Sequence, residues 1–320
     1  MKTLTVRWCV FALLMTAPAT GASAQAGVLL DPQPTGQLID VGGYRVHLVC
    51  TGSAPPSAPT VLIVGAGASF EWGLVIPAIA ERTRVCAYDH SGTVWSDDGP
   101  TDSCELRVHE VTAALRAAHI AGPFVVVGHS IGALVARLFA DRHADLTAGM
   151  IFVDHATSVP VRNVSLPGST SDAARTPPLG ATPVMGARMP AGEAAFSKLA
   201  AADRALHQWA TSRPRDQASR QHSPAILPGC EAVLRSSATR RAAMGNRPLV
   251  ILHVNDGEVI SPTSGTSPYA QLQQRLAMLS TKSRIVQVDH SSHYIMLDRP
   301  DAVVAAIREV LDQVATQAPR

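Results

Sequence analysis

The sequence is poor in aromatic residues and has no concentration of charge. Phe, Trp and Tyr make up 4% of the 320 residues and charged residues 16%, against 46% hydrophobic residues. A site for nucleic acid or for an anionic membrane surface needs a basic stripe, often with aromatic side chains between the basic ones. No stretch of the sequence has that pattern, so we expect neither partner. The composition is that of an ordinary globular core.

Long apolar runs are also missing. The run Trp8–Ala17 is too short to cross a bilayer. It follows Lys2 and Arg7 and precedes the small residues 22–24, which is typical of a cleaved export signal. We therefore predict a signal peptide over residues 1–24 and an exported protein with no membrane anchor after cleavage; an uncleaved anchor is the alternative. Cleavage removes two of the 27 basic residues and none of the 25 acidic ones, which leaves 25 of each sign.

Export changes the interpretation of the cysteines. The mature chain would keep Cys50, Cys86, Cys104 and Cys230, an even number in a compartment that permits disulfides. No C-x-x-C pair or nearby His pair gives them the spacing of a metal site. Of the three possible pairings, we favour Cys104 with Cys230 and Cys50 with Cys86. Buried free thiols are the alternative.

The stretch 123–139, PFVVVGHSIGALVARLF, predicts a strand, a tight turn and a helix. Its turn contains Gly128-His129-Ser130-Ile131-Gly132, the G-x-S-x-G pattern that presents a serine nucleophile at a sharp strand-to-helix corner. Gly128 and Gly132 remove Cβ atoms that would collide there. The free N–H groups of the helix N-terminus favour negative charge beside Ser130. A plain strand-to-helix turn is the alternative.

Apolar strands alternate with amphipathic helices along most of the chain, which predicts a mostly parallel sheet with helices on both faces. Around residues 42–43 the sequence instead predicts a hairpin of two strands. The remaining expected strands and helices are strands at 60–64, 83–88, 124–127, 149–153, 248–254 and 283–288, and helices at 72–82, 104–120, 269–280 and 300–315.

Between residues 156 and 246 the composition changes. The segment is first rich in Ser, Thr, Pro, Ala and Gly, and helical patterns follow over 192–212 and 229–244. Long connections in compact domains usually carry function, so we predict a lid inserted between two parts of one core, 25–155 and 247–320. A decorative insertion is the alternative.

A serine hydroxyl is a weak nucleophile at neutral pH and needs a histidine base and an acid that orients it. The chain order expected on this architecture is serine, acid, histidine. His293 lies after the last predicted strand, in a loop that leads into the final helix. His290 is the competitor, but it lies nearer the strand.

These features resemble the α/β-hydrolase superfamily over nearly all of the mature chain. The resemblance implies the α/β-hydrolase fold, Ser130 as the nucleophile and His293 as the base. Val94 departs from the pattern, since relatives commonly have Gly in that turn. The segments that carry the resemblance are DVGGYRVHLVCTG (40–52), VCAYDHSGTVWSD (85–97), GHSIGALVARLFA (128–140), GMIFVDHA (149–156) and SSHYIMLDRPDAVVAAI (291–307).

The resemblance leaves the acid open. Family members usually carry it after the strand that precedes the last one, which here points to Asp256, with Glu258 close behind. A minority carry it after the preceding core strand, which points to Asp154. We rank Asp256 first, although either loop can hold the imidazole tautomer.

The oxyanion hole is expected from the backbone N–H groups of Ile131 and of Ala66, in the loop of small residues 65–68. The implied reaction is cleavage of a small-molecule carboxylic ester through an acyl-enzyme, with no metal and no organic cofactor. Thioester, amide and perhydrolysis chemistry stay open, as does a noncatalytic binding protein on the same fold. Serine at position 130 argues against epoxide or haloalkane chemistry, which would use an aspartate there.

Overall fold

The computed structural model describes residues 31–55, 58–65, 67–155, 192–237, 244–254 and 268–317. The chain divides into a unit of residues 1–32 and a unit of residues 33–320, and the fold belongs to the second unit. The predicted signal peptide, residues 1–24, lies outside the described residues.

The described residues form one eight-stranded sheet in the order β1-β2-β4-β3-β5-β6-β7-β8. The neighbours β1, β2 and β4 pair antiparallel, and every other pair of neighbours is parallel. The predicted fold class is confirmed. The strands are β1 (Gln37–Asp40), β2 (Arg45–Thr51), β3 (Thr60–Val64), β4 (Val85–Asp89), β5 (Phe124–His129), β6 (Thr147–Val153), β7 (Leu249–Val254) and β8 (Ser283–Val288).

Ten α-helices accompany the sheet within the described residues, and none of them is long and apolar enough to cross a membrane. Short 3-10 turns lie at Ser69–Trp72 and Ser223–Ile226. The helices are α1 (Ile76–Ala80), α2 (Cys104–Ala117), α3 (Ile131–Arg142), α4 (Gly192–Phe196), α5 (Ala201–Ser212), α6 (Pro214–His222), α7 (Leu227–Ser237), α8 (Pro268–Ala277), α9 (Ile295–Asp298) and α10 (Pro300–Gln317).

Three predicted helix boundaries were wrong. The helix expected over 72–82 is the shorter α1, preceded by the 3-10 turn at Ser69–Trp72. The pattern over 192–212 divides into α4 and α5, and the pattern over 229–244 begins two residues earlier, at Leu227. Helix α6 was not predicted because its sequence, PRDQASRQH, is polar on every side and gives no apolar period.

The strand β5 explains why both faces of the sheet are covered. Its Val126 packs in a cluster that includes Leu134 of α3, and its Val125 packs in the opposite cluster, which includes Ile307 of α10. Successive side chains of a strand point to opposite faces. All six residues of β5 are buried, as a central parallel strand requires.

Helix α3 begins so close to the sheet that two positions on either side of the corner, Gly128 in β5 and Gly132 in α3, exclude a side chain. A Cβ atom at Gly132 would lie 1.9 Å from the carbonyl oxygen of Val64, and one at Gly128 would lie 2.6 Å from Cα of Ala133. These distances are far inside van der Waals contact. The two glycines therefore fix the angle at which the chain leaves β5.

Gly132→Ala is expected to lower the free energy of unfolding by about 1–3 kcal/mol, because the new methyl group overlaps a strand backbone that has no room to move. The midpoint of urea denaturation measures the change. Gly229→Ala is the matched control, since nothing lies within 4 Å of its Cβ position and alanine is the better helix former. A Gly132→Ala midpoint equal to that of the wild type would contradict the close approach.

Both favoured disulfides are confirmed. Cys50 and Cys86 are directly opposite on the paired strands β2 and β4, and their bond joins neighbouring strands. The bond between Cys104 and Cys230 joins α2 to α7 across 126 residues of sequence. The segment between β6 and β7 is therefore covalently attached to the core near its end.

Replacing Cys104 and Cys230 together by Ala is expected to destabilise the protein by about 1 kcal/mol more than replacing Cys50 and Cys86. The reason is loop entropy in the unfolded chain, because the sequence separations are 126 and 36 residues. Thermal melts of the two double variants measure the difference. A larger loss for the Cys50 and Cys86 pair would contradict this account.

Candidate active site

Ser130 occupies the corner between β5 and α3 in a strained conformation. Its φ of 55° and ψ of −123° lie outside the regions that side chains normally allow. The backbone N–H of Ser130 donates to the carbonyl oxygen of Val153 at 3.0 Å, which ties the corner to the end of β6. The side chain is buried, and its Oγ has no hydrogen-bond partner among the described residues. Strain and an unpaired buried hydroxyl of this kind are typical of functional positions.

His293 and Asp154 form the closest buried pair of ionisable groups near this corner. The Nδ1 atom of His293 lies 2.5 Å from Oδ2 of Asp154. A carboxylate only accepts, so Nδ1 carries the proton and Nε2 is left as the acceptor. The other oxygen of Asp154 accepts from the backbone N–H of Val254 at 3.3 Å. The contact therefore fixes the tautomer that a general base needs.

His129 joins the loop of His293 to the corner of Ser130. Its Nε2 donates to the backbone carbonyl oxygen of His293 at 3.0 Å, and the two ring centroids lie 4.7 Å apart. Burial, followed by the charge of His293, lowers the pKa of His129 to about 3. His129 is thus neutral at neutral pH. Because it directly precedes Ser130, its hydrogen bond holds the loop of His293 next to the nucleophile candidate.

The remaining predicted site residues divide into described and undescribed ones. Ile131 is the first residue of α3, with its N–H at the helix N-terminus beside Ser130. His290 is exposed, with a φ of 56°, whereas His293 is buried. Ala66, Asp256 and Glu258 lie outside the described residues. Asp154, ranked below Asp256 from the sequence, is the carboxylate that the described structure brings to His293.

A second cluster of ionisable groups, which no sequence pattern indicated, consists of the buried Glu71 and His207 and the partly exposed Arg220. Oε1 of Glu71 accepts from Nδ1 of His207 and from the guanidinium of Arg220, both at 3.2 Å. Burial raises the pKa of Glu71, but the hydrogen bond from His207 and the charge of Arg220 outweigh burial and hold the pKa below its ordinary value. Glu71 lies in the 3-10 turn after β3, and its partners lie in α5 and α6.

The turn after β4 is also held by helix α6. Val94 has a φ of 49°, in the left-handed region that favours glycine, which accounts for the Gly expected there in relatives. Its N–H donates to Asp216 Oδ1 at 2.6 Å, and its carbonyl oxygen accepts from Arg215 at 2.6 Å. Trp95 packs against Trp209 of α5 with ring centroids 5.5 Å apart. Helices α5 and α6 are therefore fastened to the loops at the carboxyl ends of β3 and β4.

A pocket opens between these loops and α6. No group of three or more His, Cys, Asp or Glu side chains in the described part of the chain is placed to hold a metal ion. The residues that line the pocket are Gly67, Ala68, His90, Thr93, Val94, Asp216, Ser219, Arg220 and Ser223.

Comparison with known proteins agrees with the fold. A protein of Schizosaccharomyces pombe with no assigned function is 34% identical over 161 residues, which are 41% of this chain and 30% of that protein. A soluble epoxide hydrolase of Corynebacterium sp. (strain C12) is 34% identical over 116 residues, 36% of this chain and 39% of that enzyme. The chain thus spans less than two fifths of the length of these relatives.

Among solved structures, the epoxide hydrolase CorEH without ligand superposes with a TM-score of 0.61 at 20% identity, over 88% of this chain and 99% of that chain. At this identity the likeness concerns the fold alone. The model of the alpha/beta hydrolase family matches residues 60–306, which include the sheet from β3 onward, Ser130, Asp154 and His293. The chain belongs to the alpha/beta hydrolase family.

Proposed function

We propose that this protein is a serine hydrolase that cleaves carboxylic esters through an acyl-enzyme intermediate. Ser130 is the nucleophile, His293 the general base and Asp154 the acid that orients it. The observation that carries the proposal is the 2.5 Å contact between Nδ1 of His293 and Oδ2 of Asp154, on a loop that His129 binds to the corner of Ser130.

In the first half-reaction, Oγ of Ser130 attacks the ester carbonyl carbon while Nε2 of His293 accepts the hydroxyl proton. Asp154 stabilises the imidazolium that forms. The N–H of Ile131, together with that of Ala66, binds the negative oxygen of the tetrahedral intermediate. When the intermediate collapses, the carbon–oxygen bond to the alcohol breaks and His293 returns the proton to the leaving alcohol. Water then attacks the acyl-enzyme by the same path and releases the acid.

Ser130, at the corner between β5 and α3, distinguishes the proposed ester hydrolysis from the epoxide hydrolysis named for a relative. An aspartate there would favour epoxide or haloalkane chemistry through an ester-linked enzyme intermediate, whereas this chain has Ser130. Membership of the alpha/beta hydrolase family supports hydrolysis in general. Thioesters and amides share the acyl carbon that Ser130 would attack, so they are the neighbouring substrate classes.

The helices α4 to α7 act in this proposal as a lid over the site, within an insertion that spans residues 156–246. Their contacts with the loops after β3 and β4 support that role. A signal peptide over residues 1–24 and two disulfides fit export to an oxidising compartment. The expected partner is a small-molecule ester, with no cofactor, no nucleic acid and no membrane anchor after signal cleavage.

A fluorophosphonate probe is expected to label the wild-type protein covalently, because an activated serine attacks phosphorus as it attacks a carbonyl carbon. Ser130→Ala is expected to abolish labelling and to lower kcat for p-nitrophenyl esters by at least about 10⁴-fold. Gel fluorescence and release of p-nitrophenolate measure the two effects, with acyl chains of increasing length to define the substrate size. Folded wild-type protein that neither labels nor hydrolyses these esters would favour a binding protein instead.

Asp154→Asn is expected to lower kcat by about 10⁴-fold, because an amide no longer holds the Nδ1–H tautomer of His293. Asp256→Asn is the comparison variant and is expected to change kcat by less than about threefold. The same p-nitrophenyl ester assay measures both variants. The opposite result, with Asp256→Asn inactive and Asp154→Asn active, would transfer the acid role to Asp256.

A further inference from the structure

We propose that Glu71 and His207 are positioning residues. They fix the position of the small-residue loop 65–68, here called the oxyanion loop, relative to the loop of His293. Helix α5 is then a working part of the active site rather than its cover alone. This inference rests on the function proposed for Ser130 and His293. Glu71 follows the small-residue loop 65–68 by three positions, and His207 belongs to α5.

The carboxylate of Glu71 packs directly against the backbone of the oxyanion loop. A Cβ atom at Gly67 would lie 1.8 Å from Oε2 of Glu71, so the carboxylate occupies the space that a side chain would take. Directly after the loop, the N–H and the hydroxyl of Ser69 donate to Asp89, the last residue of β4, at 2.6 and 3.0 Å. Glu71 therefore packs against Gly67, the residue that follows Ala66, the expected oxyanion donor, in the sequence.

His207 reaches the loop of His293 through stacked aromatic rings. Its imidazole stacks on Phe196 with ring centroids 3.9 Å apart. The rings of Phe196 and Tyr294 meet edge to face, with centroids 4.7 Å apart. Tyr294 is the neighbour of His293, with their rings 5.5 Å apart. His207 and Phe196 together thus connect the carboxylate at the oxyanion loop to Tyr294, the aromatic residue beside the base.

The charge of the cluster also suits a site that stabilises an oxyanion. Glu71 is 1% exposed, and an unpaired buried carboxylate would oppose the negative charge that develops on the substrate. The charge of Glu71 acts to raise the pKa of His129, next to Ser130, although burial outweighs it and lowers that pKa. The guanidinium of Arg220 lies 3.2 Å from Oε1 of Glu71 and compensates this charge, and His207 donates a hydrogen bond to the same oxygen. The cluster can therefore anchor the loop without leaving a net negative charge beside the reaction.

The test compares Glu71→Leu and His207→Phe with the wild type for hydrolysis of p-nitrophenyl acetate. Leucine is close to glutamate in size and removes the acceptor oxygen that His207 uses. Phenylalanine keeps the stack on Phe196 and removes the hydrogen bond from Nδ1. We expect kcat to fall by about 10–100-fold in each variant with KM within about threefold, because a loop misplaced by about 1 Å loses transition-state stabilisation. Glu309→Gln is the matched control. It breaks the ion pair between Glu309 of α10 and Arg284 of β8, and its kcat should stay within about twofold of the wild-type value.

The double variant Glu71→Leu/His207→Phe is expected to lose no more than the worse single variant, because each single change already removes the hydrogen bond between Glu71 and His207. Independent, multiplicative losses would overturn the proposal. So would unchanged kcat in folded variants, or a rise in KM alone, which indicates substrate contact. If Glu71→Leu does not fold, His207→Phe and Arg220→Gln give the same decision. An inactive, unlabelled wild type would remove the proposed function and this inference together, whereas an active wild type with unaffected variants would remove the inference alone.

Discussion

The close approach of α3 to the sheet is the constraint on which the site depends. With no side chain at Gly132, the helix starts within van der Waals distance of the backbone at Val64. The chain leaves β5 at an angle that puts Ser130 at a φ of 55°. A strained residue persists only where its surroundings over-determine it. Here the buried strands on either side of β5 supply that rigidity.

The parallel strands place the other candidate site residues at the same edge of the sheet, the one formed by the carboxyl ends of the strands. The carboxyl ends of parallel strands point the same way, so each following loop opens beside Ser130. Asp154 follows β6 and His293 follows β8, yet their side chains meet although 139 residues separate them. Glu71 follows β3 and belongs to the same edge. Distant parts of the sequence therefore meet because of strand direction and strand order, without any local signal for their contact.

This geometry explains how far the sequence could predict the structure. The corner at Ser130, the hairpin at Gly42-Gly43 and the alternation of strands and helices depend on neighbours in sequence, and they were predicted. Asp256 was ranked above Asp154, but no sequence pattern separates the two, because an acid after either strand reaches the same edge. Glu71 and His207 are 136 residues apart, so no local pattern predicts their contact. Helix α6, which follows α5, is polar and has no apolar period from which to predict it.

The bond between Cys104 and Cys230 has a topological consequence. It closes the backbone from α2 to α7 into a covalent ring that contains Ser130, Asp154, Phe196 and His207. His293 and Glu71 lie on the two chain arms outside the ring. A protease that cut the ring once would leave both fragments linked through sulfur, so a nicked molecule would keep all its side chains attached and separate into pieces only after reduction.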